Sequence, residues 1–307
     1  MKSSSFHNLN ADIGLKWYLK MPWFVMNYIN NISFYRINSS IIKVNSFIPD
    51  TTDKYWLKLD VLNSPCRMLS DLFWMQLAWV QIRKEIGNIR ILDIGCGDGS
   101  YASKLHSFSN GIIDNYIGID IHRSDMWDDI TNNLHNVNFY RIDGVNIEDS
   151  YMKKSNVIIS QSAMEHVEDD MIYFGKIRNY VMNAKRNIIQ IHLIPSANCL
   201  KLYLLHGVRQ YTTRTISKIT DLFLPFSYSI LFSLGGRACT SVHWEYCTKP
   251  YLLTRIGLKK CGDLRGNDPY EYNREVKLAI QSDNRSSRES PAFWALIIHS
   301  NYNNIIF

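Results

Sequence analysis

One segment constrains the fold more than any other part of this 307-residue chain: a short apolar run followed directly by three closely spaced glycines. The run covers residues 89–94, and the loop after it carries Gly95, Gly97 and Gly99. A glycine-rich turn between a strand and a helix lets a ligand approach the backbone, and the start of the helix offers unpaired N–H groups. The segment therefore predicts a strand, a ligand-binding loop and a helix over residues 100–108.

Short apolar runs continue to alternate with helical patterns along the chain. Further strands are predicted over residues 116–120, 137–142, 156–160, 187–194, 258–264 and 292–299. Strands that alternate with helices form a mostly parallel sheet with helices on both faces. The sequence thus predicts an α/β fold.

The chain is predicted to divide into four segments, according to whether strands and helices alternate in them. Residues 1–87 lack this alternation and form an N-terminal helical or cap region, with one helix predicted over 65–86. Residues 88–195 form the core. Residues 196–242 are expected to be an inserted helical cap or substrate region, and residues 243–307 return to the core sheet.

Two stretches outside the core are rich in apolar or aromatic side chains. Residues 222–234 are too short to cross a bilayer, so they form core, a membrane-surface helix or the wall of a substrate pocket. Residues 17–35 allow the same interpretations, and their aromatics could stack on a sugar or lie in a lipid interface. A peripheral contact with the inner face of the cell membrane therefore stays open.

The charge balance and the cysteine spacing do not indicate a nucleic-acid-binding or a metal-binding protein. The net charge of +6, from 34 basic and 28 acidic residues, is mild, and no basic run is long enough to predict nucleic-acid binding. The 6 cysteines form no CxxC pair, and no metal site is predicted from ligand spacing. Reduced thiols and the lack of an uninterrupted apolar run near the N-terminus predict a cytoplasmic protein. The oligomeric state is not indicated.

Three acids follow successive strands. Asp93 lies two residues before the first loop glycine, where the dinucleotide fingerprint has no acid; it would repel a pyrophosphate and suit a cationic amine. Asp120 ends the next strand, where a carboxylate can accept both hydroxyls of a ribose. Asp143, followed by Gly144, ends the third strand and could accept an exocyclic amine. Together they predict a pocket for adenosine joined to an amino acid.

These motifs resemble those of the class I S-adenosylmethionine (SAM)-dependent methyltransferases. The resemblance covers about residues 88–195 and 242–300, and the segment "MEHVED" is similar to an "EHV.D" subgroup and to methyltransferases of surface-polysaccharide clusters. It implies a Rossmann-like, seven-stranded, mostly parallel sheet and SAM as the cofactor, with S-adenosylhomocysteine as product. Its motifs are ILDIGCGDGSYASKL, YIGIDIHRSD, FYRIDG, SNVIISQSAMEHVED and HWEYCTKPYLLTRIGLKK.

The resemblance also implies roles for individual residues. Asp93 would hold the SAM amine, directly or through water, and Asp120 the ribose hydroxyls. The other cofactor-binding residues it implies are Gly95, Cys96, Gly97 and Gly99 along the methionine and ribose, Ile121, Asp143 and Gly144 at the adenine, and Ser160 and Gln161 below the methyl group. Simpler interpretations are a turn without ligand for the glycines, a helix N-cap for Asp120 and a turn residue for Asp143.

Three residues are candidates for catalysis. Glu165 and His166 follow the fourth strand, at the edge where this fold carries its chemistry, and His243 follows the insertion. Methyl transfer to a hydroxyl needs a proton acceptor, for which histidine is suited near neutral pH. Alternatively, His166 caps the loop while Glu165 orients SAM, and His243 is a core histidine. His192, within a strand, is expected to be buried. Arg209, Arg237 and Lys249 are expected to lie on a solvated face, with contact to an anionic substrate as the alternative.

The sequence therefore predicts a methyltransferase that methylates a sugar hydroxyl in a bacterial surface polysaccharide or lipid-linked glycan. The alternative is a small hydrophobic acceptor, such as a quinone precursor or secondary metabolite. A non-catalytic SAM-binding scaffold is the alternative from another class. An NAD-dependent oxidoreductase fits the loop spacing least well.

Overall fold

The structure is a computed structural model that describes residues 2–32, 42–255, 263–284 and 290–307. Within these residues, eight strands form one sheet. They are β1 (Ile42–Ser46), β2 (Ile89–Ile94), β3 (Ile113–Asp120), β4 (Val137–Arg141), β5 (Val157–Gln161), β6 (Ile188–Pro195), β7 (Ser227–Leu234) and β8 (Phe293–Ser300).

Helices cover the sheet on both sides. The N-terminal four are α1 (Lys20–Asn31), α2 (Asp53–Trp56), α3 (Pro65–Met75) and α4 (Trp79–Ile86). Those of the central region are α5 (Ser100–Phe108), α6 (Met126–Asn133), α7 (Asp149–Lys153) and α8 (Asp170–Ala184). The remaining ones in the described chain are α9 (Thr213–Asp221), α10 (Arg237–His243), α11 (Lys249–Arg255) and α12 (Pro269–Asp283).

The strand order is β1-β7-β8-β6-β5-β2-β3-β4. All neighbouring strands run parallel except at β8, which is antiparallel to both β6 and β7. The chain leaves β2 toward β3 on one side and later returns to place β5 on the other. Such a switch point opens a crevice at the carboxyl ends of the strands, where ligands bind in doubly wound sheets.

The predicted α/β class with a mostly parallel, Rossmann-like sheet is confirmed, with differences in detail. The sheet has eight strands rather than seven because β1, from the N-terminal region, pairs with β7. The insertion 196–242 is not wholly helical, since β7 lies within it. The helix predicted over 65–86 is two helices, α3 and α4, and the predicted strand 258–264 lies largely outside the described residues. The division into four segments stays a prediction.

Alternation along the strands builds a core on both faces of the sheet. In β2, Ile91 and Leu92 are both fully buried but belong to different clusters, because successive side chains of a strand point to opposite faces. Helix α3 is buried along almost its whole length, and Leu69 and Leu72 pack in the same cluster as Ile91. None of the helices in the described ranges has the length and apolar content needed to cross a membrane.

Candidate active site

The glycine loop lies at the carboxyl end of β2, as predicted. Gly95, Gly97 and Gly99 all have positive φ angles, of +71°, +57° and +82°. A Cβ on Gly95 would lie 2.5 Å from the Cβ of Ala163, so the loop packs closely against the segment after β5, whereas a Cβ on Gly97 would meet no atom within 4 Å. The Cys96 thiol is buried beside Gly118, which leaves the backbone as the part of Cys96 that can face a ligand.

Asp120 holds the loop in shape. Its Oδ2 accepts a hydrogen bond from the Gly97 N–H and its Oδ1 one from the His122 N–H, both at 2.9 Å. It is not a helix N-cap, because α6 begins after Asp125. Each carboxylate oxygen keeps a second lone pair, so both can still accept from the hydroxyls of a ribose. The neighbouring Ile121 side chain is exposed at the crevice.

Asp93 lies beneath the loop and is only 1% exposed. The Tyr116 hydroxyl donates a short hydrogen bond to its Oδ2, while its Oδ1 is buried and has no hydrogen-bond partner among the residues that the structure describes. Burial raises the pKa of the Asp93 carboxyl to about 7, against the opposing effect of the Tyr116 hydrogen bond. A buried carboxylate oxygen without a partner is costly on its own, and a cationic amine would satisfy it.

Asp143 and Gly144 follow β4 on the same edge of the sheet. Asp143 is exposed, and its Oδ2 accepts from the Asn146 Nδ2 at 3.0 Å, as in a turn. A Cβ on Gly144 would lie 2.9 Å from the Ile94 side chain, so this turn needs a residue without a side chain. The position agrees with the predicted adenine contact, which stays a prediction.

Ser160 and Gln161 make contacts other than the one predicted for them below the methyl group, which stays a prediction. Ser160 is fully buried, and its hydroxyl is 2.8 Å from the Nδ1 of His192, away from the crevice. Gln161 accepts a hydrogen bond from the Trp74 Nε1 and thereby ties α3 to the end of β5. His192 is buried as expected, and burial lowers its pKa to about 3.

Glu165 and His166 lie just beyond this edge, and two residues not foreseen from the sequence join them. The Oδ2 of Asp12 and the Nδ1 of His166 form a hydrogen bond of 2.6 Å. The ring centroids of His166 and His206 lie 4.6 Å apart. Burial raises the pKa of Glu165 to about 7. Burial alone would lower the pKa of His166, but its hydrogen bond to Asp12 and the charge of Glu165 outweigh burial and raise it. We call these four residues the acceptor cluster.

A buried ion pair holds the segment 2–12, here called the N-terminal arm, which carries Asp12. Arg209 and Asp170 are both fully buried and lie 3.3 Å apart, and Ser4 donates to Asp170 through its backbone N–H and its hydroxyl. Arg209 was expected to be solvated, but it contacts the arm and the loop after β5 instead. Further along, the Gly207 N–H donates to Asp12 at 3.0 Å. Lys249, by contrast, forms the expected exposed pair with a glutamate one turn away.

A largely apolar cavity of about 640 Å³ opens beside this cluster. His206 lines it, so the cluster and the cavity are continuous. Among its other lining residues are Lys20, Met21, Phe24, Leu202, Tyr203, Leu205, Tyr251, Leu252 and Asp263. The cavity joins α1 of the N-terminal region to α11 and to the segment after β6, and it could bury the apolar body of an acceptor.

His243 is set apart from this cluster. Ring contacts run from His206 to Tyr203 at 5.7 Å and from Tyr203 to His243 at 5.6 Å, so Tyr203 separates the two histidines. His243 is buried, and its Nδ1 has no hydrogen-bond partner in the described part of the chain. The geometry favours a core position for His243, as its alternative interpretation proposed.

The comparisons with known proteins agree with this geometry. Residues 86–199 match the family model described as a methyltransferase domain. The matched segment runs from the end of α4 past β6 and includes the glycine loop, Asp120 and Glu165. A comparison with curated proteins finds no match.

Solved structures of methyltransferases are similar in fold. The plantazolicin methyltransferase BpumL in complex with S-adenosylhomocysteine is 15% identical, with a TM-score of 0.43 over 92% of this chain and 96% of that one. A SAM-dependent methyltransferase from Archaeoglobus fulgidus is 18% identical, with a TM-score of 0.39 over 74% and 94%. The 1,6-didemethyltoxoflavin-N1-methyltransferase of Burkholderia thailandensis is 9% identical, with a TM-score of 0.38 over 74% and 78%. Sequence identities and TM-scores this low say nothing about the acceptor of this chain.

Residues 86–199 thus match a methyltransferase domain, for which SAM is the predicted cofactor. The residues present fit that cofactor. Within the described residues, Asp93 has a buried oxygen without a hydrogen-bond partner, and no atom lies within 4 Å of a Cβ placed on Gly97. The Asp120 carboxylate can accept further hydrogen bonds beside the one from the Gly97 N–H. The prediction of a methyltransferase domain is confirmed for this segment, and SAM stays the cofactor that these residues fit. The narrower resemblance to the "EHV.D" subgroup stays a prediction.

Proposed function

We propose that this protein transfers the methyl group of SAM to a hydroxyl oxygen of an acceptor whose apolar body lies in the 640 Å³ cavity. One observation carries the proposal: the donor loop and the acceptor cluster adjoin. Gly95 packs on Ala163, which is two residues before Glu165, and His206 of the same cluster lines the cavity. Donor and acceptor would therefore meet at the carboxyl ends of β2 and β5.

An oxygen acceptor is favoured by the groups that face it. When bound, SAM supplies a methyl group on a positively charged sulfur. As the acceptor oxygen bonds to the methyl carbon, the carbon–sulfur bond breaks and its electron pair leaves with S-adenosylhomocysteine. The hydroxyl proton leaves toward solvent past Glu165 and His166, which follow the Ala163 segment that packs on the loop. The chain's own contribution is to hold the two reactants in line, about 3 to 3.5 Å apart.

The cavity favours a small hydrophobic molecule over a polar sugar as the acceptor. Most of its lining side chains are apolar, among them Met21, Phe24, Leu202 and Leu252, and such surfaces bind by removing apolar area from water. This reverses the order of the two acceptors expected from the sequence.

A sugar hydroxyl of a lipid-linked glycan is the second candidate, because of the surface next to the cavity. Trp17 is 82% exposed and Met21 69% exposed, and Met21 also lines the cavity. Val25 and Tyr28 continue the same exposed face of α1 at helical spacing, with Lys16 and Lys20 nearby. Aromatic and basic side chains in this pattern suit a lipid surface, from which a lipid-linked acceptor would enter.

A labelling experiment tests the proposal and separates the two acceptors. The protein is incubated with SAM labelled in its methyl group and with extract from the cells that make it, alongside the Asp120→Ala variant as the inactive control. Label in small organic-soluble molecules supports the first candidate, and label in glycolipid supports the second. Label in protein or nucleic acid would refute both, and S-adenosylhomocysteine binding without any transfer would favour a scaffold.

A further inference from the structure

Glu165, His166 and His206 converge from two segments that are forty residues apart in sequence. One potential ligand atom from each lies within 4.8 Å of those of the other two. We propose that these three side chains bind a divalent transition-metal ion of the zinc type, at the inner end of the acceptor cavity. No metal ligand was expected from the sequence, because His206 shares no short motif with the other two.

The donor set suits such an ion. Two imidazole nitrogens and one carboxylate oxygen are a usual set for catalytic zinc, which keeps its fourth position open for water or substrate. Ligands about 2.0–2.2 Å from one ion lie roughly 3.3–3.6 Å from each other. The separations, all within 4.8 Å, therefore exceed this spacing by at most about 1.2–1.5 Å, a difference that rotation of the partly exposed His206 side chain can close.

Asp12 orients the cluster in the way that metal sites require. Histidine ligands usually donate their second ring N–H to a carboxylate, which fixes the ring and raises its basicity. The Asp12 Oδ2 lies 2.6 Å from the Nδ1 of His166, so the Nε2 of His166 remains for an ion. The Asp12 Oδ1 lies 3.9 Å from the Nδ1 of His206 and is held there by the Gly207 N–H.

The surroundings of Glu165 also favour a cation. Glu165 is buried, and its Oε2 has no hydrogen-bond partner within the described residues. None of the ion pairs found in that part of the chain includes it. A buried carboxylate oxygen left unpaired costs free energy unless a proton or a cation satisfies it. With Asp12 nearby, two carboxyl groups and two imidazole rings together attract a dication more than any single residue would.

The site rests on, and deepens, the proposed function. Because His206 lines the cavity, the open position of the ion would face the hydroxyl of a bound acceptor. An ion held by these three side chains would lower the pKa of a bound hydroxyl, so that its proton could pass to bulk water as the oxygen bonds to the methyl carbon and the carbon–sulfur bond breaks. In this arrangement His166 is a ligand rather than the base.

Metal binding is tested on the full-length protein, freed of metal with a chelator and then titrated with Zn²⁺ by calorimetry and with Co²⁺ by visible absorption. We expect one ion per chain, and a loss of affinity of at least 100-fold in His206→Ala and in His166→Ala. Asp12→Asn should weaken binding about 10- to 100-fold. The matched control is His135→Ala, an exposed histidine before β4, which should bind as the wild type does.

Affinity for S-adenosylhomocysteine shows whether each variant is folded, and it should be unchanged in His206→Ala. Binding that is absent, or equal in wild type and His206→Ala, would overturn the metal site. Methyl transfer that persists in chelator would also overturn the metal site but leave the proposed function standing. Stoichiometric zinc binding without methyl transfer to any acceptor would support the metal site and contradict the proposed function.

Discussion

Replacing Asp93 by asparagine is expected to move stability and cofactor affinity in opposite directions. Burial raises the pKa of this carboxyl to about 7 in the folded protein, whereas it titrates near 4 in the unfolded chain. Between these values the unfolded chain has released its proton and the folded protein still holds it. Stability therefore falls as pH rises from about 4 to about 7, and it stays at the lower level above that.

The size of the effect follows from this difference in pKa. At about 1.4 kcal/mol for each pKa unit, an ionisable Asp93 lowers the free energy of unfolding at pH 8 by about 4 kcal/mol at most. Asparagine does not ionise, so Asp93→Asn should be more stable by about 2–4 kcal/mol at pH 8 and by little near pH 4. For a chain of this length, that is about 3–6 °C in melting temperature.

Affinity should change the other way, because the variant loses a charged partner for the SAM amine. A hydrogen bond between charged groups is worth about 1.5–3 kcal/mol, which corresponds to roughly 10- to 100-fold weaker binding. Thermal unfolding at pH 4.5 and 8 and calorimetric titration with S-adenosylhomocysteine measure both effects. Asp98→Asn, an exposed change in the same loop, is the control and should alter neither. A variant less stable than wild type at pH 8, or one with unchanged affinity, would refute the reasoning.

Three further predictions follow from the contacts around the site. Asp170→Asn should lower the free energy of unfolding, measured in urea, by about 3–5 kcal/mol, because the charge of buried Arg209 loses its partner. As the control, Lys249→Met breaks an exposed ion pair and should lower it by less than about 1 kcal/mol. Equal effects of the two substitutions would contradict this account. Gly207→Ala should destabilise by about 1–3 kcal/mol and slow methyl transfer, since its Cβ would lie 2.7 Å from a carbonyl oxygen at φ +65°; wild-type rates would show that Asp12 had not moved. Ser160→Ala should bind S-adenosylhomocysteine as the wild type does, and a tenfold loss in that titration would return Ser160 to the cofactor site.

The parts of the fold that depend on neighbouring residues could be predicted from the sequence. The bounds of β2 and α5 agree with the prediction because apolar spacing and glycine position act within a few residues. The three acids could be placed for the same reason: each lies at or just beyond the carboxyl end of a strand, and the carboxyl ends of parallel strands meet at one edge.

What was missed depends on distant partners. Residues 227–234 contain three serines among apolar residues, which indicates a helix, a strand or a pocket wall equally well. They form β7 because they pair with β8 on one side and with β1 on the other, and each β1 partner lies 187 positions earlier (Ile42 pairs with Ser229, and Ser46 with Ser233). No local pattern reveals such pairing.

The acceptor cluster shows the same limit. Glu165 and His166 follow a strand and could be proposed from position alone. Asp12 and His206 carry no motif, and they reach the site because the buried pair Arg209–Asp170 holds the N-terminal arm against the loop after β5. Gly207, which leaves room for the Glu165 backbone, completes that approach.

The central claim is that the loop after β2, together with Asp93 and Asp120, binds SAM. Calorimetric titration of the purified protein with SAM, S-adenosylhomocysteine and NAD tests it most directly. We expect one site per chain for the first two ligands, loss of that site in Asp120→Ala, and no binding of NAD. Binding of NAD in place of SAM, or SAM affinity that Asp120→Ala leaves unchanged, would contradict the claim.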